Sequence, residues 1–465
     1  MALLVALTGC AADPEASGES SGETGTGTAA EVTTAASAAA ESSSTTLEIP
    51  PGSPTFYEDV LPVIAAQCMG CHTPGGIGVF DLADYEIAKT LASALTAQTA
   101  VRAMPPFVAS NTGECNTFTD ARWLTDDEID LFARWEQAGA PQGDASLPRP
   151  VPPTADGLVG EEILALRSPA DYVPVADDAG GADDYQCFLV DPEVVDTARY
   201  LIGYEVAPGN PAVTHHLIGF LVDPEGTTPF GGTNGSLMAS LDAASPDQLG
   251  WDCYGAAGNG VLVQGTPVTW APGGGAFNFP EGTGIRIDPG YQLVLQMHYN
   301  LAAGQEAAQT EVRLSMVDEV EREAVNALDD RFLATLFNGT SVEIPPGESS
   351  FVWKWQAPIR EWDSRISGWE KVEILGMLPH MHGLGRRMQV TIHSGDTEQC
   401  GIYVDRWDFN WQQAFMYETP IVVSPSDQLE IVCDWDTSAK DTPTTPGLGT
   451  GNEMCLLGIY VAEAK

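Results

Sequence analysis

Basic side chains are few in this sequence. Twenty lysines and arginines stand against 65 aspartates and glutamates in 465 residues, a formal charge of −45. Duplex nucleic acid, which is bound largely by neutralising phosphates, is thereby excluded as a partner class. Long apolar runs are missing as well. None approaches the roughly 18 residues a spanning helix needs, so membrane contact is expected only through a lipid anchor. Histidine is scarce, with seven in the whole chain, and where those seven fall therefore carries information.

What is present begins with "MALLVALTGC", residues 1–10. A short apolar run ending in Leu7-Thr8-Gly9-Cys10 resembles a bacterial lipobox and predicts a signal segment with Cys10 as the lipidated residue. Residues 11–50 are a Ser/Thr/Ala/Gly/Glu tract that cannot build a core, which predicts a disordered tether. The expected address is exported: a periplasmic or outer-membrane/cell-surface lipoprotein of a bacterium. Six cysteines remain once Cys10 and a motif pair described next are set aside: Cys115, Cys187, Cys253, Cys400, Cys433 and Cys455. An even remainder in an oxidising compartment predicts up to three disulfides.

Residues 51–145 read as one small all-α unit. "FYEDVLPVIAAQ" has helical periodicity and runs into "CMGCH". Cys68 and Cys71, three apart, can both form thioethers to a porphyrin, and His72 then reaches its iron. "VRAMPPF" offers Met104 as the second axial ligand, a pairing that suits electron transfer. "LTDDEIDLFARWEQAGAP" carries an N-cap, an acidic first turn and an amphipathic pattern ending at Gly139. The unit resembles a single-haem class I cytochrome c, which implies one covalently bound haem c. A Pro-rich linker, residues 146–157, predicts a hinge on which this unit docks transiently.

From residue 158 the grammar is β. Short alternating or apolar runs such as "HHLIGFLVD", "YQLVLQMHYNL" and "DQLEIVCDW" are separated by Gly, Pro, Asp and Asn. The fold class expected is mainly β: two antiparallel, jelly-roll-like β-sandwich domains, residues 158–325 and 326–465, behind the cytochrome unit and the tether. The charged stretch 317–332 is the expected joint between them.

Five of the six histidines outside the haem motif fall in three places of this β region: His215 and His216 in "AVTHHLIGF", His298 in "LVLQMHYNL", and His380 and His382 in "LPHMHGLG". His393 stands alone and reads as an ordinary strand-end residue. On a strand, i and i+2 share a face, so His380 and His382 can point into one space. Adjacent histidines point to opposite faces, so His215 and His216 can share a metal only at a twist, bulge or strand end. Imidazoles suit zinc, copper, nickel or iron alike. Met454, beside Cys455, suggests a thioether donor, and a His2Met set favours Cu(I).

The order His-His, "QMHYN", His-x-His, Met-Cys resembles the copper type II, ascorbate-dependent monooxygenases over roughly residues 160–465. The resemblance implies that His215, His216 and His298 bind an electron-storing copper on the first sandwich. It implies that His380, His382 and Met454 bind the dioxygen-activating copper on the second. The spacing of Cys433 and Cys455 resembles a family disulfide. Cys187 and Cys253 flank the His-His pair and form a second expected bridge, while Cys115 and Cys400 are left unassigned. Peptide-amidating members carry an arginine two residues before His-x-His and a tyrosine four after the methionine; here those positions are Leu378 and Gly458. Both departures argue against peptide amidation.

The function expected is therefore a dicopper monooxygenase that hydroxylates a C–H bond of a small organic substrate. It uses dioxygen and electrons from the fused haem or from an external reductant or redox partner protein. The alternatives are a copper-binding electron-transfer lipoprotein that does not hydroxylate, and a β-sandwich binding module with structural histidines. Trp251, Trp270, Trp407 and Trp411 are candidates for a substrate cleft, with core packing as the plainer expectation.

Overall fold

The structure is a computed structural model. It describes residues 52–465 apart from 75, 77, 79, 152–156, 170–171, 177–182, 192–194, 230, 246–248, 254–255, 273, 302–303, 308, 330, 336–341 and 448–450. The expected signal segment with Cys10, the tether 11–50 and the middle of the Pro-rich linker lie outside the described residues.

Helices come first. A turn over Phe56–Val60 leads into α1 (Leu61–Gln67), followed by α2 (Tyr85–Thr90), α3 (Ala92–Ala100) and α4 (Asp126–Gln137). The acidic start of α4 folds as a capping box in which Thr125 and Glu128 exchange side chain-to-backbone hydrogen bonds. Its apolar face buries Phe132 and Trp135 with Phe56 and Tyr85, and the Trp135 indole donates to the Pro141 carbonyl at 3.0 Å. Among the described residues, no helix is long and apolar enough to cross a membrane.

Among the described residues, eighteen strands follow. The first eleven are β1 (Ile163–Arg167), β2 (Asp183–Asp191), β3 (Arg199–Ala207), β4 (Thr214–Val222), β5 (Trp251–Asp252), β6 (Gly265–Trp270), β7 (Phe277–Asn278), β8 (Thr283–Ile287), β9 (Gln292–Asn300), β10 (Glu311–Val317) and β11 (Arg322–Asp329). The rest are β12 (Phe351–Pro358), β13 (Val372–Met381), β14 (Gly385–Ser394), β15 (Thr397–Val404), β16 (Phe415–Val423), β17 (Gln428–Trp435) and β18 (Cys455–Glu463). They form three sheets. A five-stranded sheet runs β5-β2-β9-β4-β6, a four-stranded sheet runs β12-β17-β14-β15, and a nine-stranded sheet runs β1-β10-β3-β8-β11-β18-β13-β16 with β7 on β3.

Sandwich packing follows from which faces are apolar. Leu201, Ile285 and Leu314 of the large sheet share a core with Leu217 and Leu295 of the five-stranded sheet. Ile374 and Leu457 of the large sheet share another with Val390 and Ile431 of the four-stranded sheet. The large sheet thus serves both halves. At its middle, β11 pairs parallel with β8 and antiparallel with β18. The stretch 317–332, expected as a joint, is therefore largely a strand, and the boundary drawn at 325/326 falls inside it. Its acidic residues hid an alternation in which Val325, Ala327 and Asp329 are buried while Asn326 and Leu328 are more exposed.

All six cysteines expected to be available for bridges are paired: Cys115–Cys400, Cys187–Cys253 and Cys433–Cys455. The first joins the two cysteines that the sequence left unassigned. It anchors a strap, residues 107–123, that the sequence assigned to the helical unit. Phe107, Val108 and Phe118 instead bury in the core of the second sandwich. Ala109 bridges Val404, Phe118 stacks on Tyr417 at 5.4 Å, and Arg122 donates to the Pro272 carbonyl of the first sandwich. Transient docking on a hinge is not what this arrangement gives. The helical unit is tied to the sandwiches, and the described residues form one compact body.

Candidate metal centre

His215 and His216 meet the condition their adjacency imposed. β4 pairs with β9 in a register that shifts between Thr214↔Tyr299 and His216↔His298, which leaves His215 as an extra residue in a bulge. The bulge turns both rings toward His298. His216 Nδ1 lies 3.4 Å from His215 Nδ1 and 3.2 Å from His298 Nδ1. All three rings are buried, with ligand nitrogens within 4.8 Å of one another. Burial and neighbouring rings hold the pKa of His216 and His298 well below the ordinary value, and burial lowers that of His215. All three imidazoles are therefore neutral donors.

His298 is oriented from both sides. Its Nε2 lies 3.0 Å from Asp183 Oδ1, so Nε2–H donates there and the lone pair stays on Nδ1, facing the other two rings. Tyr185 stacks on its flat side at 4.1 Å.

The second set lies where β13 approaches the start of β18. His380 Nδ1 is 2.5 Å from Gln412 Oε1, and its Nε2 is 3.1 Å from Met454 Sδ. Donation from Nδ1–H to Gln412 leaves the Nε2 lone pair on the methionine side. Burial, then the neighbouring His382, pushes the His380 pKa down to about 3. His382 Nδ1 sits 3.1 Å from the Asn452 carbonyl, and the two rings stand edge to face at 5.3 Å. Met454 is buried and adjoins the Cys433–Cys455 bridge, which ties β17 to β18.

One carboxylate organises this corner. Glu453 accepts from the backbone N–H of His382 (3.0 Å), Leu384 (2.7 Å) and Met454 (3.2 Å) and from the Trp435 indole (2.8 Å). Burial raises its pKa to about 7, against the pull of those donors. Glu453, Gln412 and Asp183 were missed by sequence reasoning. Glu453 had a signal, an acid directly before the proposed methionine donor. Gln412 and Asp183 had none, because their loop and strand reach the histidines only through the fold.

The two sets share a cleft of about 60 Å3, lined by His216 on one side and by His380, Gln412 and Leu378 on the other. Trp270 lines it as well. Trp407 donates to the His382 carbonyl at 3.0 Å, and Trp411 lies 6.0 Å from the His215 ring. Trp251 packs in a separate core. His393 lies on β14 beside Glu398, away from both sets.

In the helical unit, the Cys68 and Cys71 thiols are free and partly buried, on the turn after α1. Burial pushes Cys68 up to about 12 and raises Cys71. His72 packs against Gly78, where a Cβ would come within 2.5 Å of Nδ1, and burial lowers its pKa. Met104 is 38% exposed, and no hydrogen bond joins it to His72 among the described residues.

Residues 332–463 match the family model of the copper type II ascorbate-dependent monooxygenase, C-terminal domain. The chain is 27% identical over 219 residues to putative DBH-like monooxygenase protein 2 of Homo sapiens, covering 45% of this chain and 42% of that protein. It is 25% identical over 284 residues to Homo sapiens dopamine beta-hydroxylase, covering 58% of this chain and 42% of that one. The chain thus spans less than half the length of these curated relatives. A solved peptide-N(4)-(N-acetyl-beta-D-glucosaminyl)asparagine amidase covers 65% of this chain and 96% of its own at 8% identity and a TM-score of 0.25, too low to carry an argument. Over residues 332–463 the chain is thus similar to the C-terminal domain of the copper type II ascorbate-dependent monooxygenases.

Proposed function

We propose that the chain is an exported dicopper monooxygenase that hydroxylates a C–H bond of a small organic substrate. The observation that carries this reading is two buried, neutral donor sets opening on one cleft: the convergent Nδ1 atoms of His215, His216 and His298, and the His380 Nε2–Met454 Sδ pair beside His382. Both sets fit copper, three imidazoles at one and two imidazoles with a thioether at the other, and a thioether favours the cuprous state. When bound, copper supplies one-electron storage at the first set and dioxygen activation at the second, with one oxygen atom inserted and the other leaving as water.

The chain's own residues prepare both sets. Asp183 holds a proton on His298 Nε2, and Gln412 holds one on His380 Nδ1, so each ring keeps a fixed tautomer. Glu453 ties the backbone of His382, just after β13, to that of Met454, just before β18, and so fixes the separation of these two donors. The apolar side chains of Ile218, Phe220, Leu378 and Leu456 line the space between the sets.

Two electrons are needed per turnover. Cys68 and Cys71 would carry a c-type haem by thioethers, with His72 and Met104 as axial ligands. The neutral His72 ring and the two free thiols fit that group. A haem held there would supply electrons singly and would itself be reduced by a small reductant or a redox partner protein. Cys10 would anchor the chain to a membrane, and the three disulfides are compatible with an exported protein.

Metal analysis after reconstitution is expected to give two coppers and one haem iron per chain. Met454→Ile should retain copper at the first set while losing most substrate-dependent oxygen consumption. Copper near zero, or a variant consuming oxygen as fast as wild type, would overturn the reading.

A further inference from the structure

Among the described residues, no aspartate, glutamate, lysine or arginine lines the cleft between the two histidine sets. Its walls are Leu378 and Leu456 on one side and Ile218, Phe220 and Trp270 on the other. A carboxylate or ammonium brought here would lose its hydration and meet no counter-charge from the chain.

Its hydrogen-bonding groups are nearly all taken. Gln412 accepts from His380 and donates to the Phe409 carbonyl. The Trp270 indole donates to the Gly274 carbonyl, and Thr269 Oγ1 lies 3.3 Å from the Tyr204 hydroxyl. Thr266 differs. It is 8% exposed, and its Oγ1 is buried with no hydrogen-bond partner. The cause lies in the strand. β6 changes register against β4 between Gly219↔Val268 and Leu221↔Gly265, and the bulge falls on Thr266 and on Pro267, which has no N–H. A buried hydroxyl without a partner is costly unless a ligand or water supplies one.

We propose that this cleft accepts a small, uncharged, largely hydrocarbon substrate with a single oxygen function, and that Thr266 Oγ1 meets that oxygen. Leu378, two residues before His380 and on its face of β13, then acts as the residue that sets charge preference. This rests on the monooxygenase reading for what becomes of the substrate, but not for what the cleft admits.

The test uses copper-free full chain, so binding is read without turnover. 1-Butanol, butyrate and butylammonium are compared by saturation-transfer NMR at pH 7, in salt sufficient to screen the chain's net charge. 1-Butanol is expected to bind at least about tenfold more tightly than either ion. Thr266→Val should weaken it several-fold. Leu378→Arg should raise the butyrate-to-butanol preference by about tenfold or more, and Leu378→Gln, without the charge, should not. Either ion matching 1-butanol on the wild type, or none of the three binding, would overturn the proposal. Should Leu378→Arg fail to fold, the wild-type ranking and Thr266→Val decide. A chain that ranks the probes as expected but inserts no oxygen when copper-loaded loses the reaction and keeps the cleft assignment; the converse result does the opposite.

Discussion

Glu453 concentrates four hydrogen bonds on two oxygens, all from N–H groups. Protonated, the carboxyl places one O–H among these donors, whereas an amide in its place would put an NH2 with two N–H bonds there. Glu453→Gln is therefore expected to lower stability by about 1–3 kcal/mol near pH 5. The pH dependence has a definite sign. The folded-state pKa of about 7 lies above the ordinary 4.5, so the stability this carboxyl contributes is complete below 4.5 and is lost as pH rises through 7. Urea titrations should find the gap between wild type and variant narrowing between those values. A gap that widens would mean that the donors, not burial, dominate the site.

At the scale of elements, the strap 107–123 is the least anticipated feature. Its apolar residues were legible as apolar, but nothing local says that Phe107 and Phe118 face the second sandwich rather than the helices. Cys115–Cys400 closes this contact across 285 residues of sequence. Replacing both cysteines with serine is expected to cost about 2–4 kcal/mol and to expose the strap to limited proteolysis before the sandwiches unfold. Other elements could be read directly. The capping box at Thr125 and the His380-x-His382 spacing are local patterns with a local physical cause. The bulge that turns His215 toward His216 was foreseeable as a requirement but not as a fact, because it arises from the register with β9. The same holds for β11, whose place between β8 and β18 is a matter of pairing, not of its own composition.

Over the whole molecule, titration matters through the buried histidines. The folded-state values of His215, His216, His298 and His380 lie below 6.5, reaching about 3 for His380. The stability held by the neutral rings is complete above 6.5 and is lost as pH falls through the folded values. Protons therefore compete poorly for the donor nitrogens of the folded protein. Copper affinity is expected to change only a few-fold between pH 7 and pH 5, whereas a site of solvated imidazoles would lose about thirtyfold per ring. Competition titrations with a chelator of known pH dependence measure this directly, and a steep loss by pH 5 would mean the rings are wet.

The large sheet has a mechanical consequence. β11 is laddered to the first half through β8 and to the second through β18, so the halves share one backbone-bonded beam. Swinging them apart or together would break ladder hydrogen bonds at the sheet's centre. On the proposed reading, an electron passing from one histidine set to the other crosses a span of constant width. How fast it crosses is then governed by what is bound at either bank, not by how often the banks meet.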